Sequence, residues 1–236
     1  MKNLTRTICL TLAVLLGSTG TSWGADFDKG LAAAQSGDFA TALREWRPLA
    51  EKGDYRAQYN LGGMYVNGLG VPQDYKTAVK WNRLAAEQGY VYAQYNVGHM
   101  YDKGNGVLQD YKTAVKWYTL AAKQGVADAQ YNLGLMYRKG QGVPQDYKTA
   151  VKWYRLAAEQ GDAVAQSNLG VMYGTGKGVI QDNVYAHMWW NIAASSGKSK
   201  NASKNRDIVA KGMTPAQIAA AQKLARECVR KKYKGC

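Results

Sequence analysis

A nine-residue motif that returns every 36 residues constrains the fold of this chain more than any other feature. The motif reads AQYNLGGMY at 57–65, and three closely similar copies start at residues 93, 129 and 165. A fixed period of about 20 to 50 residues is typical of solenoids, in which each repeat packs only against its neighbours. Such stacks offer an extended surface, so we expect the function to be binding across that surface.

One repeat, residues 54–89, contains the signals of two antiparallel α-helices. Apolar residues recur at the helical period from 57 to 65, which places them on one face of the first helix. Gly68 favours the left-handed conformation that ends a helix, and Asp74 is placed to cap the second helix. Gly89 is expected to end the second helix. Two helices alone cannot cover the apolar face, so we predict that stacked neighbours complete the core.

The repeats also predict the domain boundaries. Residues 1–24 have the positive start, apolar segment and small-residue cleavage site of a secretory signal peptide, with cleavage expected near Gly24 or Ala25. The mature chain is therefore expected to be periplasmic or secreted. The predicted divisions after residue 24 are an N-terminal capping helix pair at 25–53, four repeats at 54–89, 90–125, 126–161 and 162–197, and a C-terminal capping helix pair with a basic tail at 198–236.

The two capping pairs carry helix signals of their own. Residues 38–53 align with the second helix of a repeat, and Pro48 lies late in that helix, where we expect a kink. At the other end, residues 214–217 read as a capping box with proline at the first helical position, which predicts a helix running to about Lys232. Residues 199–211 would form its partner helix.

The repeated pattern resembles the Sel-1-like repeat, a longer relative of the tetratricopeptide repeat. The pattern is A-x-x-x-L-G-x-M-Y-x-x-G-x-G-V-x-Q-D-Y-x-x-A-x-x-W-Y-x-x-A-A-x-x-G, complete at 129–161. The resemblance implies an all-α fold, a right-handed α-solenoid of antiparallel helix pairs, and a scaffold for protein assemblies in bacterial envelopes or at host contacts. The last copy departs from the pattern, because Ser167 and Asn183 stand where the other repeats carry tyrosine.

The binding specificity of a solenoid should lie where its repeats differ on a constant frame. On the first helix of each repeat, the face beside the core carries one constant Asn and three variable positions. A ladder of Asn side chains could bond the backbone of an extended peptide, or each Asn could satisfy a backbone group within the protein. Both readings stay open. The predicted partner-binding residues of this concave face are Arg56, Asn60, Tyr92, Asn96, His99, Lys103, Asp128, Asn132, Leu135, Lys139 and Asn168.

Two other recurring residue types favour a structural role. Gln58 and its equivalents are expected to bond mainly within the protein. Tryptophan recurs identically in all four repeats, and ligand platforms rarely need equal members in every unit, so core packing explains it better. These tryptophans are Trp81, Trp117, Trp153 and Trp189.

Positive charge concentrates at the C-terminal end. Two of the 31 Lys and Arg lie in residues 1–24, which leaves 29 against 17 Asp and Glu. Residues 196–236 hold 11 of these cations and two acids. The side chains that form a basic stripe on the last helix are Lys223, Arg226, Arg230 and Lys234. This stripe could dock on anionic lipid, lipopolysaccharide or peptidoglycan, or it could be the solvated face of a capping helix.

Cys228 and Cys236 are the cysteines that follow residue 24. An intrachain disulfide requires the helix to stop near Lys232 and Gly235 to turn the chain back, because a straight helix would hold the two cysteines about 12 Å apart. A link to a second chain is the alternative.

No group of residues predicts catalysis or a cofactor. The two histidines, His99 and His187, lie in different repeats, with no neighbour at a spacing that supports a nucleophile and its base. Metal ligands are lacking as well. We therefore expect a protein partner, which the sequence does not identify, and neither an enzyme, a small-molecule substrate, a metal nor nucleic acid.

Overall fold

The structure, a computed structural model, describes residues 25–199 and 201–236. The predicted signal peptide lies outside the described residues. Within them the chain is helical and contains no strand, and no helix is long and apolar enough to cross a membrane. In chain order the helices are α1 (Phe27–Gln35), α2 (Phe39–Glu51), α3 (Tyr55–Asn67), α4 (Tyr75–Glu87), α5 (Val91–Lys103), α6 (Tyr111–Lys123), α7 (Ala127–Lys139), α8 (Tyr147–Ala158), α9 (Ala163–Thr175), α10 (Asn183–Ser195), α11 (Ala202–Ala210) and α12 (Pro215–Arg230).

The helices pack in chain order within two compact units. Of the described residues, the first unit comprises 25–93 and 104–108, and the second comprises 94–103, 109–199 and 201–236. In the first unit α1 packs on α2, α2 on α3 and α3 on α4. In the second unit each helix from α6 to α10 packs on the next, and α10 also contacts α11 and α12. The prediction of an all-α fold built from repeated helix pairs is confirmed.

Aspartates cap the second helices of the repeats, as predicted. Asp74 accepts hydrogen bonds from two backbone N–H groups of α4 and from the Thr77 hydroxyl, the latter at 2.7 Å. These bonds, with the Thr77 hydroxyl as the main contributor, lower the pKa of Asp74 because they stabilise the charged carboxylate. Asp110 and Asp146 make the same hydroxyl bond at 2.6 Å. Gly68 ends α3 in the left-handed conformation.

The first helix of each repeat contributes small and aliphatic residues to the core at the helical period. In the second unit Ala129, Leu133 and Met136 of α7 are buried in one cluster. Burying a leucine or methionine side chain contributes roughly 1.5–3 kcal/mol. Gly134 lies in the same helix, and a Cβ there would lie 2.8 Å from a ring carbon of Tyr154. Glycine at this position therefore lets the second helix approach closely.

The tryptophans pack at the edge of the core and not at its centre in three of the four repeats. Trp189 is fully buried, whereas Trp81, Trp117 and Trp153 are half-buried. The next position along the helix points into the core, because one residue rotates the side-chain direction by about 100°. The occupants of that buried position are Asn82, Tyr118, Tyr154 and Trp190.

The terminal helix pairs flank the repeats. Helix α2 continues through Pro48 to Glu51. Helix α12 begins with the predicted capping box and ends at Arg230, two residues before the predicted end. Lys232 and Tyr233 then adopt left-handed backbone conformations, with φ of 52° and 67°. This turn brings the C-terminus back toward α12.

Candidate functional site

Four of the predicted binding residues line one pocket in the second unit. The pocket has a volume of about 230 Å³ and lies between α5, α6 and α7. The four residues are Lys103 of α5 and Asn132, Leu135 and Lys139 of α7. The other lining residues are Asp102, Gln109, Tyr111, Tyr118, Met136 and Gln141. The pocket is therefore mainly polar, and it is built from the first helices of two successive repeats.

Regular helix geometry explains why these side chains converge. Asn132, Leu135 and Lys139 are three and four positions apart, so they project from one face of α7. Lys103 and Lys139 are the last residues of α5 and α7, one repeat apart. Gly140 follows in the left-handed conformation with φ of 69° and ends α7 at this point. Both lysine side chains thus stay exposed at the edge of the pocket.

The two lysines differ in their partners. The ammonium nitrogen of Lys103 lies 2.7 Å from a carboxylate oxygen of Asp102. Lys139 forms no salt bridge with the part of the chain that the structure describes. The Lys103 side chain is 53% exposed and the Asp102 side chain only 14% exposed, so the cation faces solvent while its partner carboxylate is largely covered. The pocket has a net positive charge.

Tyr118 belongs to the inner wall of the pocket. The side chain is fully buried, and its hydroxyl has no hydrogen-bond partner among the described residues. Burial and the charge of Asp102 raise the pKa of Tyr118, so the hydroxyl keeps its proton and can donate. A buried donor without a partner costs about 1–3 kcal/mol. In the next repeat Tyr154 takes this place, but there Arg138 stands at the position of Asp102.

The predicted asparagine ladder is accessible only in part. Asn60 and Asn96 are buried, with 7% and 6% of their surface exposed. The Asn168 side-chain amide donates to the Val164 carbonyl of its own helix at 2.8 Å. Burial of Asn60 and Asn96 favours a structural role for these two members of the ladder. Asn132 is the member that lines the pocket.

The predicted residues of the first unit have structural partners. The Arg56 guanidinium lies 2.7 Å from an Asp54 carboxylate oxygen and stacks over the ring of Phe27, 4.3 Å from its centroid. Tyr92 is exposed and contacts Tyr90, with the ring centroids 5.7 Å apart. Arg56 is thus held by contacts with the N-cap residue of its own helix and with α1.

A cluster of four tyrosines in the first unit escaped the sequence analysis. Tyr90 lies at its centre, with ring centroids 5.2 Å from Tyr55, 5.0 Å from Tyr59 and 5.7 Å from Tyr92. A signal was present in the sequence, because Tyr90 breaks the repeat. The residues at the same position of the other repeats are Asp54, Val126 and Asp162.

His99 and Asp128 do not line the pocket. His99 is half-buried, and burial, with a smaller contribution from Lys103, lowers its pKa. Asp128 is exposed in the first turn of α7, where a negative charge stabilises the helix dipole. Within the described residues, no three His, Cys, Asp or Glu side chains are placed to hold a metal ion.

The recurring glutamines join successive helix pairs, the role that the sequence favoured. Gln130 of α7 donates its side-chain amide to the Ala122 carbonyl near the end of α6, at 3.0 Å. Gln160 in turn donates to the side-chain oxygen of Gln130 at 2.8 Å. Gln58 bonds to the Ala50 carbonyl in the same way. These bonds tie α3 to α2 in the first unit, and α7 to α6 in the second.

The basic stripe lies exposed along α12 and the tail that follows it. None of its four side chains forms a salt bridge with another described residue. The stripe consists of Lys223, Arg226, Arg230 and Lys234. A disulfide joins Cys228 to Cys236, and the Gly235 N–H donates to a Glu159 carboxylate oxygen at 3.4 Å. The tail therefore folds back against the third repeat.

Comparisons with known proteins agree on one family. The profile of the Sel1 repeat matches residues 56–90, 91–126, 127–162 and 163–198. The crystal structure of c5321, a protective antigen present in uropathogenic Escherichia coli strains displaying an SLR fold, is 33% identical with a TM-score of 0.80, over 88% of this chain and 46% of that one. The structure of a Sel1 repeat protein from Oxalobacter formigenes is 30% identical with a TM-score of 0.69, over 86% of this chain and 75% of that one. No curated protein matches the chain.

Proposed function

Because the chain belongs to the Sel1 repeat family, we propose that it is an exported scaffold that binds a segment of a partner protein at the pocket between α5 and α7. Sel1 repeat proteins are generally scaffolds for protein interactions and are typically not enzymes. The observation that carries the proposal is the convergence of Lys103, Asn132, Leu135 and Lys139 on one polar pocket.

The pocket combines a constant frame with side chains that are particular to these two repeats. The position of Lys103 and Lys139 holds Asn67 and Thr175 in the other repeats. The position of Leu135 holds glycine, histidine or valine. The buried positions around them vary little, because packing constrains them. A segment that contacts the pocket therefore distinguishes this pair of repeats from the others.

Photo-cross-linking in the native host tests the binding site. A photoreactive amino acid at residue 139 should give a discrete adduct of higher mass. The same probe at residue 123 is the matched control, because Lys123 is also the exposed last residue of its helix but does not line the pocket. Adducts of equal yield from both positions, or none from residue 139, would contradict the proposal.

Export is part of the same proposal. Residues 1–24 have the composition of a signal peptide, and the disulfide between Cys228 and Cys236 is of a kind that persists in oxidising compartments. N-terminal sequencing of the protein from the periplasmic or extracellular fraction should start at Ala25 or Asp26. A protein that stays in the cytoplasm with residues 1–24 attached would contradict export.

The exposed basic stripe favours a second candidate function, docking on an anionic envelope surface. Four cations without salt bridges, three on α12 and Lys234 in the tail after it, attract anionic lipid or lipopolysaccharide, and salt screens this attraction. Co-sedimentation with anionic vesicles tests it. Replacing the four stripe residues with glutamine should abolish sedimentation, whereas a control with four exposed lysines of the repeats replaced, Lys76, Lys112, Lys148 and Lys152, should retain it. Equal loss in both proteins would show that the net charge matters and the stripe does not.

A further inference from the structure

We propose that the pocket between α5 and α7 selects an acidic side chain, Glu or Asp, in the segment of the partner protein that crosses it. This inference rests on the proposed function, because it specifies what the same pocket recognises. Three observations support it, namely the cations at the edge of the pocket, the hydroxyl in its wall, and its size.

The charges at the edge favour an anion. Lys103 and Lys139 are one repeat apart and line the pocket from two different helices. Lys139 has no carboxylate partner among the described residues, and Lys103, itself exposed, has one in the largely covered Asp102. A carboxylate that enters between the two lysines forms charge-assisted hydrogen bonds, which are about twice as strong as neutral ones. A cationic side chain would meet repulsion instead.

The wall of the pocket favours an acceptor. The Tyr118 hydroxyl is fully buried without a hydrogen-bond partner in the described chain, so it has a proton to donate. Asn132 adds an amide group that donates as well. A carboxylate oxygen that reaches this wall supplies the acceptor that Tyr118 lacks. Neutral apolar groups would leave the hydroxyl unpaired.

The size of the pocket favours a side chain over a larger ligand. Its volume of about 230 Å³ lies below the range of about 300–1,000 Å³ in which drug-sized ligands bind. Leu135 is half-buried beside the two lysines and offers an apolar contact for the methylene groups of an acidic side chain. The segment on either side then lies on the exposed surface of α5 and α7.

Selection from a display library of randomised twelve-residue peptides with amidated or fused C-termini tests the inference with the purified protein. We expect the enriched peptides to carry Glu or Asp at one fixed position. Synthesis of the best peptide with that residue changed to Gln or Asn should weaken binding about tenfold or more, as loss of a charge-assisted pair predicts. A free C-terminal carboxylate should not be needed.

Variants of the pocket complete the test. Lys139→Gln should remove most of the preference for the acidic peptide over its amide counterpart, whereas the matched control Lys123→Gln should keep it. Tyr118→Phe should reduce the preference without lowering the stability, and Tyr154→Phe serves as its control in the next repeat.

The possible failures are distinguishable. Enriched peptides that compete at this pocket but contain no acidic residue would overturn the inference and leave the proposed function standing. Acidic peptides that bind Lys139→Gln as tightly as the original protein would overturn the inference by placing the acid elsewhere. No enrichment of any peptide would overturn the inference together with the proposed binding site.

Discussion

At the scale of single residues, Gly142 shows how closely the turns of this chain pack. It lies in the turn between α7 and α8 with φ of 72°, and an added Cβ would meet the backbone of Tyr111. Gly125 also has a left-handed conformation, with φ of 93°, but no neighbouring atom lies within 4 Å of the position of a Cβ. A side chain at Gly125 would therefore strain only the backbone, whereas a side chain at Gly142 would also clash with Tyr111.

We expect Gly142→Ala to lower the free energy of unfolding by roughly 2–5 kcal/mol. About 1–2 kcal/mol comes from the left-handed conformation and about 1–3 kcal/mol from the contact with Tyr111. Gly125→Ala should carry only the first cost. Urea unfolding of both variants checks this, and equal losses would mean that the turn moves away from Tyr111 without penalty.

The two histidines predict a pH dependence of stability. Burial lowers the pKa of His99 and of His187. Each therefore binds its proton less readily in the folded chain than in the unfolded chain, where the pKa of histidine is about 6.5. Stability should be highest above pH 6.5 and should fall as the pH drops through that value, until the folded-state pKa is passed. The aspartate caps have lowered pKa values, so their contribution is lost only below about pH 4.

We expect the melting temperature to be lower at pH 5.0 than at pH 7.5, and His99→Gln to reduce the difference. Thermal unfolding followed by circular dichroism at the two pH values checks this. Lys116→Gln, at an exposed position of α6, should leave the difference unchanged. A variant at residue 99 with the same pH dependence as the original chain would show that His99 does not contribute.

At the scale of elements, a glutamine bond couples α7 to the helix before it, α6. Gln130→Ala removes the donor to the Ala122 carbonyl and leaves a buried acceptor, so we expect a loss of about 1–3 kcal/mol. Gln145→Ala is the matched control, because Gln145 also donates to a backbone carbonyl, that of Arg138, but at an exposed place. Its loss should be within about 0.5 kcal/mol. Urea unfolding with similar losses for both variants would contradict the coupling.

Most helix boundaries could be predicted because the signals that set them are local. An aspartate that accepts the first N–H groups and a glycine in the left-handed conformation act within three or four residues, as at Asp74 and Gly68. The predicted end of α12, Lys232, lies two residues beyond the observed end, because Lys232 and Tyr233 adopt left-handed conformations that their residue types do not favour. No local signal marks that turn.

At the scale of the whole molecule, the 36-residue period predicted the repeat fold because every copy must fit the same neighbours. The candidate site was predicted less completely. The helical period correctly grouped Asn132, Leu135 and Lys139, but the burial of Asn60 and Asn96 depends on adjacent helices that the period of one helix does not describe. Tyr118 was missed as a site residue because it belongs to the second helix of its repeat.

The central claim is that the partner binds at the pocket between α5 and α7, and one pair of affinities tests it most directly. The dissociation constant of the cross-linked partner should be measured by titration calorimetry with Leu135→Asp and with Leu120→Asp, a change at an exposed leucine that does not line the pocket. We predict that Leu135→Asp weakens binding at least about tenfold while Leu120→Asp has no effect, both proteins keeping the helicity of the original chain. Unchanged affinity for Leu135→Asp, with its helicity intact, would contradict the claim.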